Sequence, residues 1–219
     1  VNKSLRNRLI IGILLLIISA ILAVFAHSRP YFPGDIPVMQ FVQTRSSNFL
    51  TSSMTIVSNS STGIPAVLLV IALVLIIWWR LGKLEAIFMA AAGVLSPIAN
   101  LFKLIIEQPR PPATIANIIL PIGGLGFPSG HAFFAAMMLG MLIYFILKFV
   151  ASKPLKTLLV SFLAFYILLV GYSRVYLGVH WGSEVIESYL IAGGFLLLLT
   201  ALYEQINISK ARRNKSETK

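Results

Sequence analysis

The sequence contains no cysteine, which removes disulfides and thiolate metal sites from consideration. Charge is scarce as well: Lys, Arg, Asp and Glu make up 11% of the 219 residues, far from the globular balance of about 25%. Acids are the rarest of these, with seven Asp and Glu against 18 Lys and Arg. What fills the chain instead is apolar, since 58% of it is hydrophobic. The apolar runs are too long and too numerous for one soluble core, and they match a hydrocarbon layer that needs about 20 helical residues. The chain therefore reads as an all-α integral membrane protein. A net charge of +11 would suggest nucleic acid in a soluble protein; in a membrane protein it is first a topology signal.

Six spans are expected. The first runs from Leu9 to Ala26 behind Lys3, Arg6 and Arg8. Ala26 leads into His27-Ser28-Arg29-Pro30 with no small-residue cleavage pattern, so this run is read as a retained span rather than a signal peptide. Three prolines and a glycine between Arg29 and Pro37 take the chain out of the bilayer. Val38 to Ser58 mixes apolar and polar residues at a spacing that suits one or two amphipathic helices on the outer surface. This connector is expected to be a packed surface piece, with a rim for a lipid head group as the alternative. Span two is Ile64 to Trp79. Span three is Ala86 to Ile106, kinked at Pro97 and interrupted by Asn100 and Lys103. Glu107 to Phe127, with Pro109, Pro111, Pro112, Pro121 and three glycines, is too irregular to lie in lipid. Span four follows His131 to Lys148, span five reaches Tyr172, and span six covers Val185 to Tyr203. Residues 1–8 form a cytoplasmic N-terminus, 9–203 one six-span domain, and 204–219 a basic cytoplasmic tail. From Lys210 that tail is expected to be disordered.

Charge tests this arrangement. With both termini inside, thirteen of the 18 Lys and Arg fall on the cytoplasmic side, and Arg29, Arg45, Lys103, Arg110 and Arg174 remain outside. The positive-inside rule is obeyed, the basic excess becomes an orientation signal with some attraction to anionic lipid, and no case for nucleic acid remains.

Three outward-facing segments carry chemistry. Phe127-Pro128-Ser129-Gly130-His131 precedes a long apolar run and so marks a helix N-terminus, where free N–H groups and the helix dipole favour an anion. Ser129 adds a hydroxyl donor, Gly130 allows close approach to the backbone, and His131 can donate a proton near neutral pH. The same residues are equally ordinary turn and cap chemistry. Lys103 and Arg110 flank the end of span three, where each alone is also a possible snorkelling cation. Ser173-Arg174 is followed by His180 and Glu184, four residues apart. A helix beginning near His180 lets the carboxylate accept the Nδ1 proton and leaves Nε2 a lone pair; a structural His with an interfacial ion pair is the alternative. Topology brings the three segments to one face, with three cations, two histidines and a carboxylate.

Lys-x6-Arg-Pro from Lys103, Pro-Ser-Gly-His from Pro128, and Ser-Arg-x5-His-x3-acid from Ser173 resemble, in this order, the signature motifs of the type 2 phosphatidic acid phosphatase superfamily. These are membrane lipid phosphate phosphatases related to vanadium haloperoxidases. The resemblance implies that Lys103, Arg110 and Arg174 bind the phosphoryl oxygens, with Ser129 and the Gly130 amide as neutral donors. It makes His180 the nucleophile that forms a phosphohistidine, and His131 the general acid and then base. No metal or cofactor enters the scheme, and one carboxylate is not the acidic cluster that magnesium would want. The family usually has Asp where this chain has Glu184, so the group orienting His180 is one methylene longer, and misorientation near 1 Å costs about 100-fold in rate. Glu187 is a further candidate to orient His180, or an acid paired inside the bundle.

The implied activity is hydrolysis of a lipid phosphate monoester or diphosphate at the outer leaflet. Undecaprenyl diphosphate, phosphatidylglycerol phosphate and phosphatidic acid are the substrates that the resemblance suggests, the first two preferred for so compact a chain. Phosphotransfer to another acceptor, or a binding or transport protein without turnover, are the alternatives. The two histidines argue against the last, because holding an anion needs only cations.

Overall fold

The computed structural model of the protein describes residues 3–121 and 123–217. Nearly all of these lie in helices; the other pairing among them is an isolated antiparallel bridge between Pro109 and Leu125. In chain order the helices are α1 (Lys3–Ser28), α2 (Asp35–Gln43), α3 (Asn48–Asn59), α4 (Gly63–Arg80), α5 (Lys83–Leu95), α6 (Ile98–Ile106), α7 (Gly130–Phe149), α8 (Lys153–Tyr176) and α9 (Gly182–Glu217). Six stretches are long and apolar enough to cross a membrane, with α5 and α6 counting as one. They are the six spans expected from the hydropathy pattern.

The third span breaks where Pro97 stands. Proline lacks the N–H that an uninterrupted helix needs, and the chain crosses the gap on tighter turns, with Ser96 N donating to Gly93 O (3.1 Å) and Asn100 N to Pro97 O (2.9 Å). Two short helices make up the connector. Ser47 separates them by capping α3, its hydroxyl accepting from Leu50 N at 3.2 Å.

Helix α7 occupies the centre, packed by α5, α8 and α9, and its Phe133, Met137, Met138, Met141 and Phe145 are buried. Helix α1 lies along α9 at a small-residue contact: a Cβ on Gly12 would stand 3.2 Å from Gly194 O. Such positions let two backbones approach where water supplies no hydrophobic drive. At the end of the bundle remote from the loops, Lys148 pairs with Glu204 at 2.8 Å, Tyr203 donates to Glu85 at 2.6 Å, and Arg8 lies 5.3 Å over the Tyr144 ring.

The C-terminus departs from expectation. Helix α9 is 36 residues long and continues through Lys210 to Glu217, where disorder was expected. Residues 204–217 contain Glu, Gln, Lys, Ala and Arg without Gly or Pro, so helix propensity carries the last span onward past its apolar stretch.

Candidate active site

The ends of α6 and α8 and the starts of α7 and α9 meet at one end of the bundle. Helix α6 stops at Glu107, which takes a left-handed conformation (φ 54°). One turn earlier Lys103 extends Nζ to Leu125 O (2.9 Å) and Gly126 O (3.0 Å). It thereby ties the proline-rich loop down just before α7. Ser129 is the N-cap of α7, yet its hydroxyl makes no capping bond and is buried without a partner. A buried hydroxyl and a first turn of unpaired N–H groups both lack acceptors.

Arg174 occupies the last turn of α8 and is fully buried. Its Nη1 donates to the Ser58 hydroxyl of α3, while Nε and Nη2 have no partner. The chain then turns at Gly178 (φ 74°), where a Cβ would overlap Asn117 O. This left-handed turn suits glycine and delivers His180 back over α7.

Arg110 Nη1 donates to Val179 O (2.7 Å) and meets His180 Nε2 at 3.2 Å. A guanidinium only donates, so Nε2 is the lone pair and Nδ1 carries the hydrogen. Nδ1 donates to Glu184 Oε2 at 2.5 Å, and Trp181 N donates to the same oxygen at 3.2 Å. Helix α9 starts at Gly182, two residues after His180, so the pair does not share a helix face as expected. Glu184 instead folds back over the helix N-terminus as in a capping box, and the extra methylene supplies that reach. Gly126 makes room for it, because a Cβ there would overlap Glu184 Oε1. Burial first, then the positive charges of Arg174, Lys103 and Arg110, hold the His180 pKa well below the ordinary imidazole value.

A cavity of about 770 Å³ opens over this arrangement. Lys103, Arg110, Gly130, His131 and His180 line it. Ser129, Arg174 and Glu184 are fully buried beside it. The imidazole of His131 has no hydrogen-bond partner among the described residues. Away from the cations the walls are mostly apolar, built from α4, α5, α6 and α7. Glu187 stands apart: it is buried against α1 and accepts a hydrogen bond from Ser19. It belongs to the bundle and makes no bond to His180.

The connector contributes more than surface packing. Asp35, at the start of α2, accepts from Phe32 N (2.7 Å), Ser183 N (2.9 Å) and Ser183 Oγ (2.7 Å). It thus caps α9 one residue before Glu184. Gln43 donates to Asn117 O (2.8 Å) and Tyr176 O (3.0 Å) and accepts from Asn117 N (3.0 Å). Asp35, Gln43 and Ser58 escaped sequence reasoning. The available signal was slight: Asp35 is the sole aspartate and follows Pro33-Gly34, which marks a turn but no partner 148 residues away.

The chain is similar in fold to the crystal structure of the first transmembrane PAP2 type phosphatidylglycerolphosphate phosphatase from Bacillus subtilis, with a TM-score of 0.78 and 22% identity over 89% of this chain and 96% of that one. It is also similar to LpxE of Aquifex aeolicus, with a TM-score of 0.58 and 21% identity over 76% of this chain and 96% of that one. No curated protein sequence matches it significantly. The family model of the PAP2 superfamily matches residues 82–208. That stretch is more than half of the chain and runs through every one of the eight candidate residues from Lys103 to Glu184, and on it the chain belongs to the PAP2 superfamily.

Proposed function

We propose that the protein is a membrane lipid phosphatase, which hydrolyses a lipid phosphate monoester or diphosphate at the outer face of the membrane through a phosphohistidine. The observation that carries this reading is the lone pair on His180 Nε2, held in a cavity beside Lys103 and Arg110 by a buried carboxylate on the far side of the ring. A binding site for an anion has no use for an oriented nucleophile. The apolar walls favour a substrate whose tail stays in lipid.

Arg110 and Lys103 turn to the phosphoryl oxygens, and the unpaired donors of Arg174 and Ser129 and the first-turn amides of α7 complete the cradle. The bound phosphate favours the protonated form of His131. His180 Nε2 attacks phosphorus, the bond to the lipid oxygen breaks, and that oxygen leaves with the electron pair and takes the His131 proton. Glu184 faces the positive charge that the imidazole ring then carries. Water gives a proton to His131 and attacks phosphorus; the P–N bond breaks, its electron pair returns to Nε2, and inorganic phosphate leaves.

Phosphate release by purified protein in detergent micelles with EDTA tests this. The panel holds undecaprenyl diphosphate, phosphatidylglycerol phosphate, phosphatidic acid and a water-soluble ester. Release from a lipid substrate is expected, lost by about 10⁴-fold or more in His180→Ala while substrate still binds. Equal activity in His180→Ala removes the nucleophile assignment. Silence from folded protein on every substrate removes the hydrolase reading.

A further inference from the structure

Ser58 is the fully buried polar side chain of α3, in the connector, outside the stretch from Lys103 to Glu184 that carries the motifs. Thr51, Met54 and Ser58 follow the i, i+3, i+7 spacing of one helix face, and that face lies on α8 and the turn after it. The Thr51 hydroxyl meets Tyr176 OH at 2.9 Å, Met54 shares an apolar cluster with Tyr176, Leu177 and Val179, and the Ser58 hydroxyl accepts from Arg174 Nη1. Just past the end of α3, Tyr166 donates to Ser60 Oγ at 2.8 Å. Bonds to α8 on either side therefore fix the place of Ser58.

The Arg174 side chain has no other partner among the described residues. A buried guanidinium ordinarily lies against a carboxylate, yet no described acid stands within ion-pair distance of it. Nε and Nη2 form one edge of the planar group, with two parallel N–H bonds, and Nη1 stands off that edge. Ser58 takes Nη1; both edge nitrogens are buried and unpaired. Arg174 is also close to the nucleophile. Its carbonyl accepts from Val179 N at 3.2 Å, one residue before His180, and after burial its charge does most to lower the His180 pKa.

We propose that Ser58 is a positioning residue, which holds the Arg174 guanidinium by Nη1 so that its Nε–Nη2 edge stays whole for two phosphoryl oxygens. This rests on the phosphate cradle of the phosphatase reading and deepens it. A neutral hydroxyl suits the task better than an acid: it fixes the plane of the guanidinium and leaves the positive charge for the phosphate. Without that bond the side chain turns about its last torsions, and the edge has to be ordered each time a phosphate arrives. The connector thus completes the cradle from outside the motif-bearing stretch.

The test measures two quantities on purified protein in detergent: the Kd for inorganic phosphate, from ³¹P NMR line widths, and kcat/KM on the lipid phosphate that wild-type protein hydrolyses. Ser58→Ala is expected to weaken phosphate binding and to lower kcat/KM by about tenfold each, the worth of one hydrogen bond to a charged group. Ser58→Cys, close in size but a weak acceptor, moves both the same way by a smaller factor. In an Arg174→Lys background, which keeps the charge and lacks the edge, adding Ser58→Ala costs less than about twofold. A loss of packing alone costs the same in both backgrounds. Equal losses in the two backgrounds, or no loss in Ser58→Ala, overturn the inference and leave the phosphatase reading standing. Phosphate binding that depends on Ser58, without release from any lipid, keeps the inference and removes the phosphatase reading. Wild-type protein that binds no phosphate removes the cradle, and the inference falls with it.

Discussion

Around His180 each neighbour restricts the next. Arg110 can only donate, so Nε2 accepts; Nδ1 therefore points its hydrogen at Glu184, and Gly126 leaves space for that longer acid. Because burial and nearby cations lower its pKa, His180 is expected to be neutral at the ordinary imidazole midpoint and above it, and to protonate only in more acid solution. A ¹⁵N-histidine NMR titration in detergent checks this, with His180 assigned from its Ala variant; a midpoint at or above 6.5 contradicts it. The fit of Gly126 to Glu184 makes a second prediction. Glu184→Asp withdraws the carboxylate by about one bond length and is expected to lower kcat by roughly 10–100-fold. Gly126→Ala pushes the same carboxylate aside and lowers kcat by a similar factor. The double variant is expected to lose less than the product of the two, since Asp vacates the space that the new Cβ takes. Losses that simply multiply show that the two residues act separately.

At the scale of elements, the connector and α1 both act on α9. Asp35 holds the first turn of α9 from α2, and Glu184 is the next residue along. Asp35→Asn is expected to lower kcat by about tenfold with KM changed less than about twofold, because the turn that aims Glu184 loosens while the phosphate cradle stays. A fall in thermal stability with unchanged kcat in the folded enzyme assigns Asp35 to structure alone. At the other contact, a Cβ on Gly194 would come within 2.7 Å of the Leu16 side chain. Gly194→Leu is expected to lower Tm by roughly 2–10 °C, the effect of about 1–3 kcal/mol of overpacking. The Pro97 break was legible because proline forbids the bond that the helix needs. The clamp at Asp35 was not, since its partner is distant in sequence and each residue alone looks like an ordinary turn.

For the whole molecule, orientation follows from where the cations fall. In the sequence, thirteen of the 18 Lys and Arg fall near the N-terminus, at the α4–α5 and α7–α8 turns or in the last ten residues, and we propose that the ends of the spans they flank are cytoplasmic and the site faces out. The absence of cysteine makes the test clean. Thr114→Cys, in the loop beside the site, is expected to react with an impermeant maleimide in intact cells, and Lys153→Cys only after permeabilisation. The reverse labelling inverts the topology.

Hydropathy alone determined the number of spans, because a hydrocarbon layer demands about 20 apolar residues per crossing whatever the helices do next. Motif order determined the family resemblance, and the up-and-down course of six spans put its three segments at one end. Tertiary structure decided the rest. Whether Glu184 reaches His180 depends on how α9 begins, and that depends on Asp35 and on the space at Gly126. The direction of Lys103, the unpaired hydroxyl of Ser129 and the two unpaired guanidinium nitrogens of Arg174 are likewise set by contacts between elements far apart in sequence. The residue pattern records which side chains are present; only packing determines which of them are left without partners, and those are the groups available to a ligand.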